Sequence, residues 1–432
     1  MFLLLAAAVG TEPHLLMVVP FVVLLLCIAA GPLGFPRWWE RYYAWVAVGL
    51  GVLSAGCYLI VLREAEPLVH VAIEYVSFIV FIGSLYVVAG GIHIRVKGEA
   101  TPAINCLFLL IGAIVANIIG TTGASMLLIR PWIRMNRFRI TAFHIVFFIF
   151  IVSNVGGCLT PIGDPPLFIG FLRGVPFWWV FERCWQAWVI GVLGLTGIFY
   201  VIDRRNFLRA PEQLREELTA HEEWRFDGLH NLAFVAAIVA GVFMPLGWRE
   251  AVMAGAALGS WFTTSWAIHE ANHFDFHPIK EVAWLFLGIF ATMVPALQLL
   301  TVNARHLGVH SEMHFYWGTG LLSGVLDNAP TYLAFLAAAC GLYGLNIDDP
   351  AQVQRFAAEH DHFLIAISIG AVFFGAMTYI GNGPNFMVRS ISIHQGVKTP
   401  TFIGYIAKYS LPVLLPFLFL VGILFFSRWR LF

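Results

Sequence analysis

Two aspartates lie inside long apolar stretches of this sequence, each among Asn, Thr, Gly and Pro residues. Asp164 falls in SNVGGCLTPIGDPP (153–166), and Asp327 falls in LDNAPT (326–331). An ionised carboxylate within hydrocarbon costs at least about 2.5–3.5 kcal/mol, and either a proton or a bound cation relieves that cost. Proton and cation would then compete for one carboxylate, which is the minimal chemistry of antiport. The structural alternative is that each aspartate only caps the helix that follows it.

Four short segments share this polar, glycine- and proline-containing character. They are 116–123 (ANIIGTTG), 153–166, 326–331 and 375–385 (GAMTYIGNGPN). Proline removes a backbone donor and glycine permits positive φ, so a helix is expected to break at each segment. Unwound backbone at membrane depth survives only when it is buried in protein or lines a watery cavity. The freed carbonyls and the Asn and Thr oxygens would suit a hard cation such as Na⁺, whereas half-helix N-termini would instead favour an anion.

The composition indicates that these segments belong to a membrane protein. Of the 432 residues, 59% are hydrophobic and only 12% are charged, and the mean hydropathy is +0.81. The net charge is zero, which gives no basis for nucleic-acid binding, and the six cysteines are scattered without a CxxC pair. Apolar runs near the ~20 residues of a membrane span recur, and we predict an all-α membrane protein with about ten transmembrane helices. The predicted spans are 14–35, 43–62, 71–92, 140–173, 184–202, 229–247, 251–268, 282–301, 362–395 and 402–426.

The spans are predicted to form two inverted repeats of five, each with a re-entrant hairpin and a broken helix. TPIGDPP (160–166) in the first half corresponds to TYIGNGP (378–384) in the second. Paired, interrupted apolar segments at corresponding positions indicate a transporter binding site. The predicted parts are a first repeat (1–202) with hairpin 104–129 and broken helix 140–173, a cytoplasmic interfacial linker (203–228), and a second repeat (229–432) with hairpin 315–345 and broken helix 362–395.

Other ionisable residues are interpreted as peripheral. Glu74 and Glu281 open corresponding spans, and we expect them at the membrane interface rather than in the site. Two histidine groups suggest a rival class, a membrane metalloenzyme with histidine boxes. One span separates the groups and places them on opposite faces of the membrane, so we expect loop histidines, no resident metal and no enzyme. The groups are His269, His273 and His277, and His306, His310 and His314.

Three motifs together resemble the NhaD-type sodium/proton antiporters of the ion-transporter superfamily. They are NIIGTTGASMLLIRP (117–131), SNVGGCLTPIGDPPLF (153–168) and LDNAPTYL (326–333). The superfamily also includes sodium-coupled dicarboxylate and citrate carriers and arsenite exporters. The resemblance implies a scaffold region for dimerisation and a transport region that contains the hairpins and broken helices. The Ser-Asn-Thr motifs of the dicarboxylate carriers are absent from both hairpins here, which disfavours carboxylate binding.

The resemblance therefore implies exchange of Na⁺ or Li⁺ for H⁺ across a bacterial inner membrane by a multi-pass, homodimeric protein without cofactors. Asp164 and Asp327 would be the proton and cation carboxylates. The alternative is a sodium-coupled dicarboxylate, citrate or other oxyanion carrier of the same superfamily. The residues that would supply or position neutral oxygens are Asn117, Thr121, Thr122, Asn154, Thr160, Asn328, Thr331, Thr378, Asn382 and Asn385.

The distribution of Arg and Lys in the short loops predicts that Arg137 faces the cytoplasm and Glu359 the outside. A cysteine introduced beside Arg137 is expected to be shielded from an impermeant thiol reagent in intact cells, while one beside Glu359 is labelled. Permeabilised cells, in which both cysteines react, are the control. The reverse pattern would overturn this orientation.

Overall fold

A computed structural model describes residues 13–95, 101–208, 225–306 and 308–427. Within them the chain is mainly helical. The strands of the described residues are β1 (His93–Arg95) and β2 (Arg225–Asp227), which pair antiparallel with Ile94 opposite Phe226. The helices are α1 (Val19–Gly34), α2 (Pro36–Val61), α3 (Glu66–Gly90), α4 (Pro102–Met135), α5 (Ala142–Ile151), α6 (Pro165–Leu172), α7 (Trp179–Phe207), α8 (Asn231–Val242), α9 (Trp248–Thr263), α10 (Trp266–Ala271), α11 (His277–Asn303), α12 (Glu312–Ser323), α13 (Asn328–Leu342), α14 (Pro350–Glu359), α15 (Asp361–Phe374), α16 (Gly383–His394) and α17 (Phe402–Phe426).

The protein is an all-α membrane protein. Among the described residues, seven helices are long and apolar enough to cross a bilayer, or eight if α14 and α15, bent by 99° at their junction, count as one span. Fewer span-length helices are therefore found than the ten spans predicted, and one of the seven, α4, is the predicted first hairpin. The predicted spans 229–247 and 251–268 contain helices of only 12 and 16 residues, α8 and α9. At about 1.5 Å per residue, α8 rises about 18 Å, well short of a ~30 Å hydrocarbon core.

Helix α4 folds back on itself at Gly120. Asn105 and Asn136, near its two ends, exchange two side-chain hydrogen bonds of 2.8 and 3.0 Å. A straight helix would hold residues 31 positions apart about 46 Å from each other. Gly120 has φ 77° and ψ 156°, a conformation that is essentially restricted to glycine. The predicted hairpin 104–129 is therefore part of a longer hairpin, 102–135.

A buried ion pair closes the base of this hairpin. Arg139 pairs with Asp203 of α7, one nitrogen lying 2.9 Å from Oδ2, and His144 Nε2 lies 3.1 Å from Oδ1. Asn105 donates a further 2.8 Å hydrogen bond to the same carboxylate. The side chain of Asp203 is fully buried and charge-balanced, so α7 continues past the apolar run. Residues 203–207 are thus helical rather than part of a linker, and residues 209–224 of the predicted linker lie outside the described residues.

The second hairpin is formed by α12 and α13. The rings of Phe315 and Phe335 face each other across it, with centroids 6.1 Å apart. Its tip, residues 324–327, ends at Asp327, whose Oδ1 accepts the Ala329 N–H at 3.0 Å. An aspartate at this position satisfies one of the free N–H groups at a helix start. Asp327 therefore makes the helix cap that the sequence analysis gave as its alternative role, and this contact fixes the tip.

The two broken helices have the same local structure at their breaks. Helix α5 stops at Ile151 and α6 resumes at Pro165, while α15 stops at Phe374 and α16 resumes at Gly383. In the first break the Gly163 N–H donates to Thr160 Oγ1 at 3.1 Å. In the second, the Gly381 N–H donates to Thr378 Oγ1 at the same distance. The matching sequences therefore fold into matching loops; the inverted orientation of the two halves stays a prediction.

The helices form two packed groups. The first group consists of α1, α2, α3, α8, α9 and α11, and the second consists of α4–α7, α12, α13 and α15–α17. Helix α3 meets the second group through α4 and α6, and α11 meets it through α13. All four polar segments belong to the second group, so the first group positions them from outside.

Replacing Gly120 with alanine is expected to lower the free energy of unfolding by about 1–3 kcal/mol, because only glycine adopts its backbone conformation without strain. Thermal unfolding of the purified protein in detergent measures the change. Gly49→Ala is the matched control, since a methyl group there meets nothing within 4 Å. Equal stability of the two variants would contradict the strained turn.

Candidate functional site

Asp164 lies at the centre of the polar residues. It occupies the position before α6, but its side chain makes no capping hydrogen bond and is 1% exposed. Its Oδ1 accepts hydrogen bonds from Thr121 Oγ1 at 2.7 Å and Asn382 Nδ2 at 2.9 Å. Its Oδ2 accepts one from Asn328 Nδ2 at 2.6 Å. The capping alternative for Asp164 is therefore wrong in this structure.

These contacts bring all four polar segments together. Asp164 belongs to the first break, Thr121 to the first hairpin, Asn328 to the second hairpin and Asn382 to the second break. The first hairpin is also held by its backbone, since the Thr121 N–H donates to the Gly163 carbonyl at 2.7 Å. One carboxylate thus links segments separated by more than two hundred residues.

A chain of asparagines ties the two breaks to each other. Asn154 Nδ2 donates to Asn385 Oδ1 at 2.7 Å, and Asn382 Nδ2 lies 3.2 Å from Asn154 Oδ1. Asn385 in turn donates to the carbonyls of Gly375 and Thr378 at 2.8 and 2.9 Å. Buried carbonyls freed from a helix need such partners. Asn154 and Asn385 therefore shape the site through the backbone rather than by contacting Asp164.

Asn117 and Thr160 join the first hairpin to the first break. Asn117 donates to the carbonyls of Ala113 and Gly156 at 2.9 and 2.6 Å, and its oxygen accepts the Leu159 N–H at 2.8 Å. Thr160 donates to the Asn117 carbonyl at 2.7 Å. Their polar atoms are thus already engaged with backbone, which makes them positioning residues for the hairpin tip.

The remaining candidates do not contact Asp164. Thr331 donates to the Asp327 carbonyl at 2.9 Å, and Thr378 accepts N–H groups of its own loop. Thr122 is half-buried beside Thr121 but is not among the hydrogen-bond partners of Asp164. Asp327 is half-buried and uses Oδ1 as a helix cap. The structure brings Asp164, Thr121, Asn328 and Asn382 into one site. Asp327, which precedes Asn328 in the sequence, is not one of the hydrogen-bond partners of Asp164.

The chemistry of this site suits an ionised carboxylate. Both oxygens of Asp164 face amide or hydroxyl donors, and a carboxylate without a proton only accepts hydrogen bonds. Among the described residues, the buried Oδ1 of Asn328 has no hydrogen-bond partner. An unpaired buried acceptor is costly and suits a ligand that is positively charged or donates a hydrogen bond. Carboxylate, amide and hydroxyl oxygens form the kind of set that a hard cation prefers.

Sequence reasoning missed one group of buried charged and polar residues, formed by Arg139, His144 and Asp203. The contacts of Arg139 and His144 with Asp203 join residues too distant in sequence to be matched by spacing. The histidine groups do not form a metal centre within the described residues. His269 is instead buried among aromatic rings, 4.8 Å from Trp261 between ring centroids.

Thr121→Val is expected to lower the free energy of unfolding by about 1.5–3 kcal/mol, the usual contribution of a hydrogen bond to a charged group. Thr122→Val, which makes the same chemical change one residue away, is the control and is expected to have little effect. Thermal unfolding in detergent compares the two. Equal losses of stability in the two variants would show that the hydrogen bond from Thr121 to Asp164 does not contribute to stability.

Comparison with curated proteins finds no match for this chain. The family model CitMHS_2, described as "Putative citrate transport", matches residues 10–426. The match includes both hairpins, both breaks and every residue that contacts Asp164. Family and helical architecture together make this a multi-pass membrane transporter. The chain belongs to the CitMHS_2 family.

Proposed function

We propose that the protein exchanges Na⁺ or Li⁺ for H⁺ across the bacterial inner membrane by alternating access, as the NhaD-type resemblance implies. The observation that carries the proposal is the position of Asp164. It is a buried carboxylate held by Thr121, Asn328 and Asn382, each from a different segment. A group in this position gains from either a proton or a cation, and binding one removes the charge that attracts the other.

Exchange follows from that competition. A cation bound to Asp164 would take its remaining ligands from Thr121 Oγ1 and Asn328 Oδ1, and the latter has no hydrogen-bond partner in the described part of the chain. A proton arriving from the other side would neutralise the carboxylate and release the cation. The carboxylate is thus neutralised by the cation when the site moves in one direction and by the proton when it moves back. Neither movement carries an unpaired charge through hydrocarbon.

Asp327 has a secondary role in this proposal. Its negative charge stands one residue before Asn328 and would strengthen attraction of a cation toward the site. It caps α13 at the same time, and the two roles are compatible. The remaining polar residues hold the breaks and hairpin tips in place, and we further propose a homodimer without a resident cofactor.

A sodium-coupled citrate carrier is the second candidate, and the family match favours it. Citrate would need several hydrogen-bond donors or cationic groups near the breaks. Asn382, Asn328 and Thr121 are such donors, but in this structure all three point to Asp164. Binding a polyanion there would require Asp164 to be neutralised and its donors to be released.

Asp164→Asn is expected to abolish cation/proton exchange, because asparagine neither ionises nor releases a proton. The assay uses everted membrane vesicles from an antiporter-deficient host, energised to form a pH gradient that a fluorescent amine reports. NaCl and then LiCl are added, and dissipation is expected only with the unmutated protein. Exchange at the unmutated rate in Asp164→Asn, with the protein present in the membrane, would exclude this role.

Asp327→Asn separates charge from capping, because asparagine caps helices about as well as aspartate. We expect this variant to exchange with a cation affinity weakened by roughly fivefold, the scale of a partly screened charge interaction. Unchanged affinity would leave Asp327 with the capping role alone.

The citrate carrier is tested in the same vesicles. Absence of Na⁺- or Li⁺-driven dissipation across pH 7 to 9, combined with sodium-dependent uptake of labelled citrate, would establish the citrate carrier instead.

A further inference from the structure

Glu74 and Arg173 form an ion pair that the site does not use. Glu74 lies in α3, and instead of facing lipid its side chain is only 15% exposed. Arg173, at the end of α6, is 3% exposed, and its Nη2 lies 2.9 Å from Glu74 Oε2. The other terminal nitrogen, Nη1, donates to Asp348, in the loop before α14. Arg173 therefore has one acidic partner in each of two parts of the protein.

The ion pair joins the two groups of helices. Glu74 belongs to the first group, while Arg173 belongs to the second. Further along α3 the contacts between the groups are apolar or small. Phe81 stacks on Phe168 of α6 with ring centroids 3.8 Å apart. A Cβ at Gly123 of α4 would lie 3.3 Å from that of Ala89. Such surfaces can separate or slide without leaving polar groups unpaired, whereas the ion pair favours one arrangement.

Water can replace Arg173 as the partner of Glu74. The pair lines a cavity of about 250 Å³, together with His70, Ser77 and Arg249. This volume holds several water molecules at roughly 30 Å³ each. If the helix groups moved apart, Arg173 would keep Asp348 while Glu74 became hydrated. Neither charge would be left buried alone, which is the main obstacle to opening an ion pair of this kind.

The pair is also rigidly connected to the candidate site. Arg173 follows the C-terminal end of α6, and Asp164 precedes its N-terminal end. The helix has eight residues and rises about 12 Å. A displacement of Arg173 relative to α3 therefore moves Asp164 with it, because a helix of two turns does not stretch.

We propose that the Glu74–Arg173 ion pair is a conformational latch, which holds α6 and the Asp164 site against α3 in the state seen here and opens during each transport cycle. The inference rests on the alternating access of the proposed function and is independent of which ion or carboxylate is carried. Asp348 retains Arg173 when the latch is open.

The test measures conformation rather than transport. A cysteine at Gly123 lies against Ala89 while the groups are packed, so its reaction rate with a small methanethiosulfonate reagent reports the unlatched population. Glu74→Gln is expected to raise this rate about tenfold, as loss of a buried ionic contact should. Mass spectrometry of the peptide that contains residue 123 separates its labelling from that of the six native cysteines.

Glu250→Gln is the matched control. Glu250 is also paired with an arginine, with 2.9 Å between its Oε1 and Arg249 Nε, and it accepts from Ser77 at 2.6 Å, but all three residues lie in the first group. The labelling rate at position 123 in the Glu250→Gln variant should equal the rate in the parent protein, which carries Gly123→Cys alone. An unchanged or slower rate in Glu74→Gln, or an equal increase in Glu250→Gln, would overturn the latch. Should Glu74→Gln fail to fold, Arg173→Lys gives the same test, because it replaces the planar fork that reaches both carboxylates with a single ammonium group on a shorter side chain.

Discussion

The hydrogen bonds to Asp164 are the interaction on which the arrangement of the polar segments depends. Three donors from three different segments meet one carboxylate that is 1% exposed. A buried charge without such partners is so unfavourable that the segments must either stay assembled around it or admit another ion. This constraint explains why two hairpin tips and two breaks, none of them stable alone within a membrane, lie together.

The two halves of the protein use one loop design for different purposes. Thr160 and Thr378 close equivalent turns, and the next helix in each case follows a residue whose side chain does not cap it. In the first half that residue is Asp164, and in the second it is Asn382. The asparagine donates to the aspartate at 2.9 Å, so the half without a charge at this position stabilises the charge of the other half. A carboxylate at both positions would place two negative charges in contact.

The sequence was sufficient to predict the four polar segments, because Gly, Pro and Asn interrupt helices by local rules. It also predicted roles for Asp164 and Asp327 alike, since an acidic residue in such a stretch needs a partner. Only the structure separates them, with Asp164 at the centre of the contacts and Asp327 capping a helix. Local rules could not predict that Asn154 contacts Asn385, or that Asp203 pairs with Arg139, because these contacts depend on how distant helices pack. The lengths of α8 and α9 were overestimated for a different reason. Hydropathy averages over the interruption after Thr263 and cannot detect where a helix ends.

The assembly of the site from both halves also affects biosynthesis. Asp164 leaves the ribosome about 220 residues before Asn382, which at ~5–20 residues per second is a delay of roughly 10–40 s. During that interval the first half must be inserted with its aspartate protonated or facing water, since two of its three donors do not yet exist. The nascent chain therefore passes through an intermediate whose polar centre is incomplete, and quality-control proteases of the membrane would encounter it in that form.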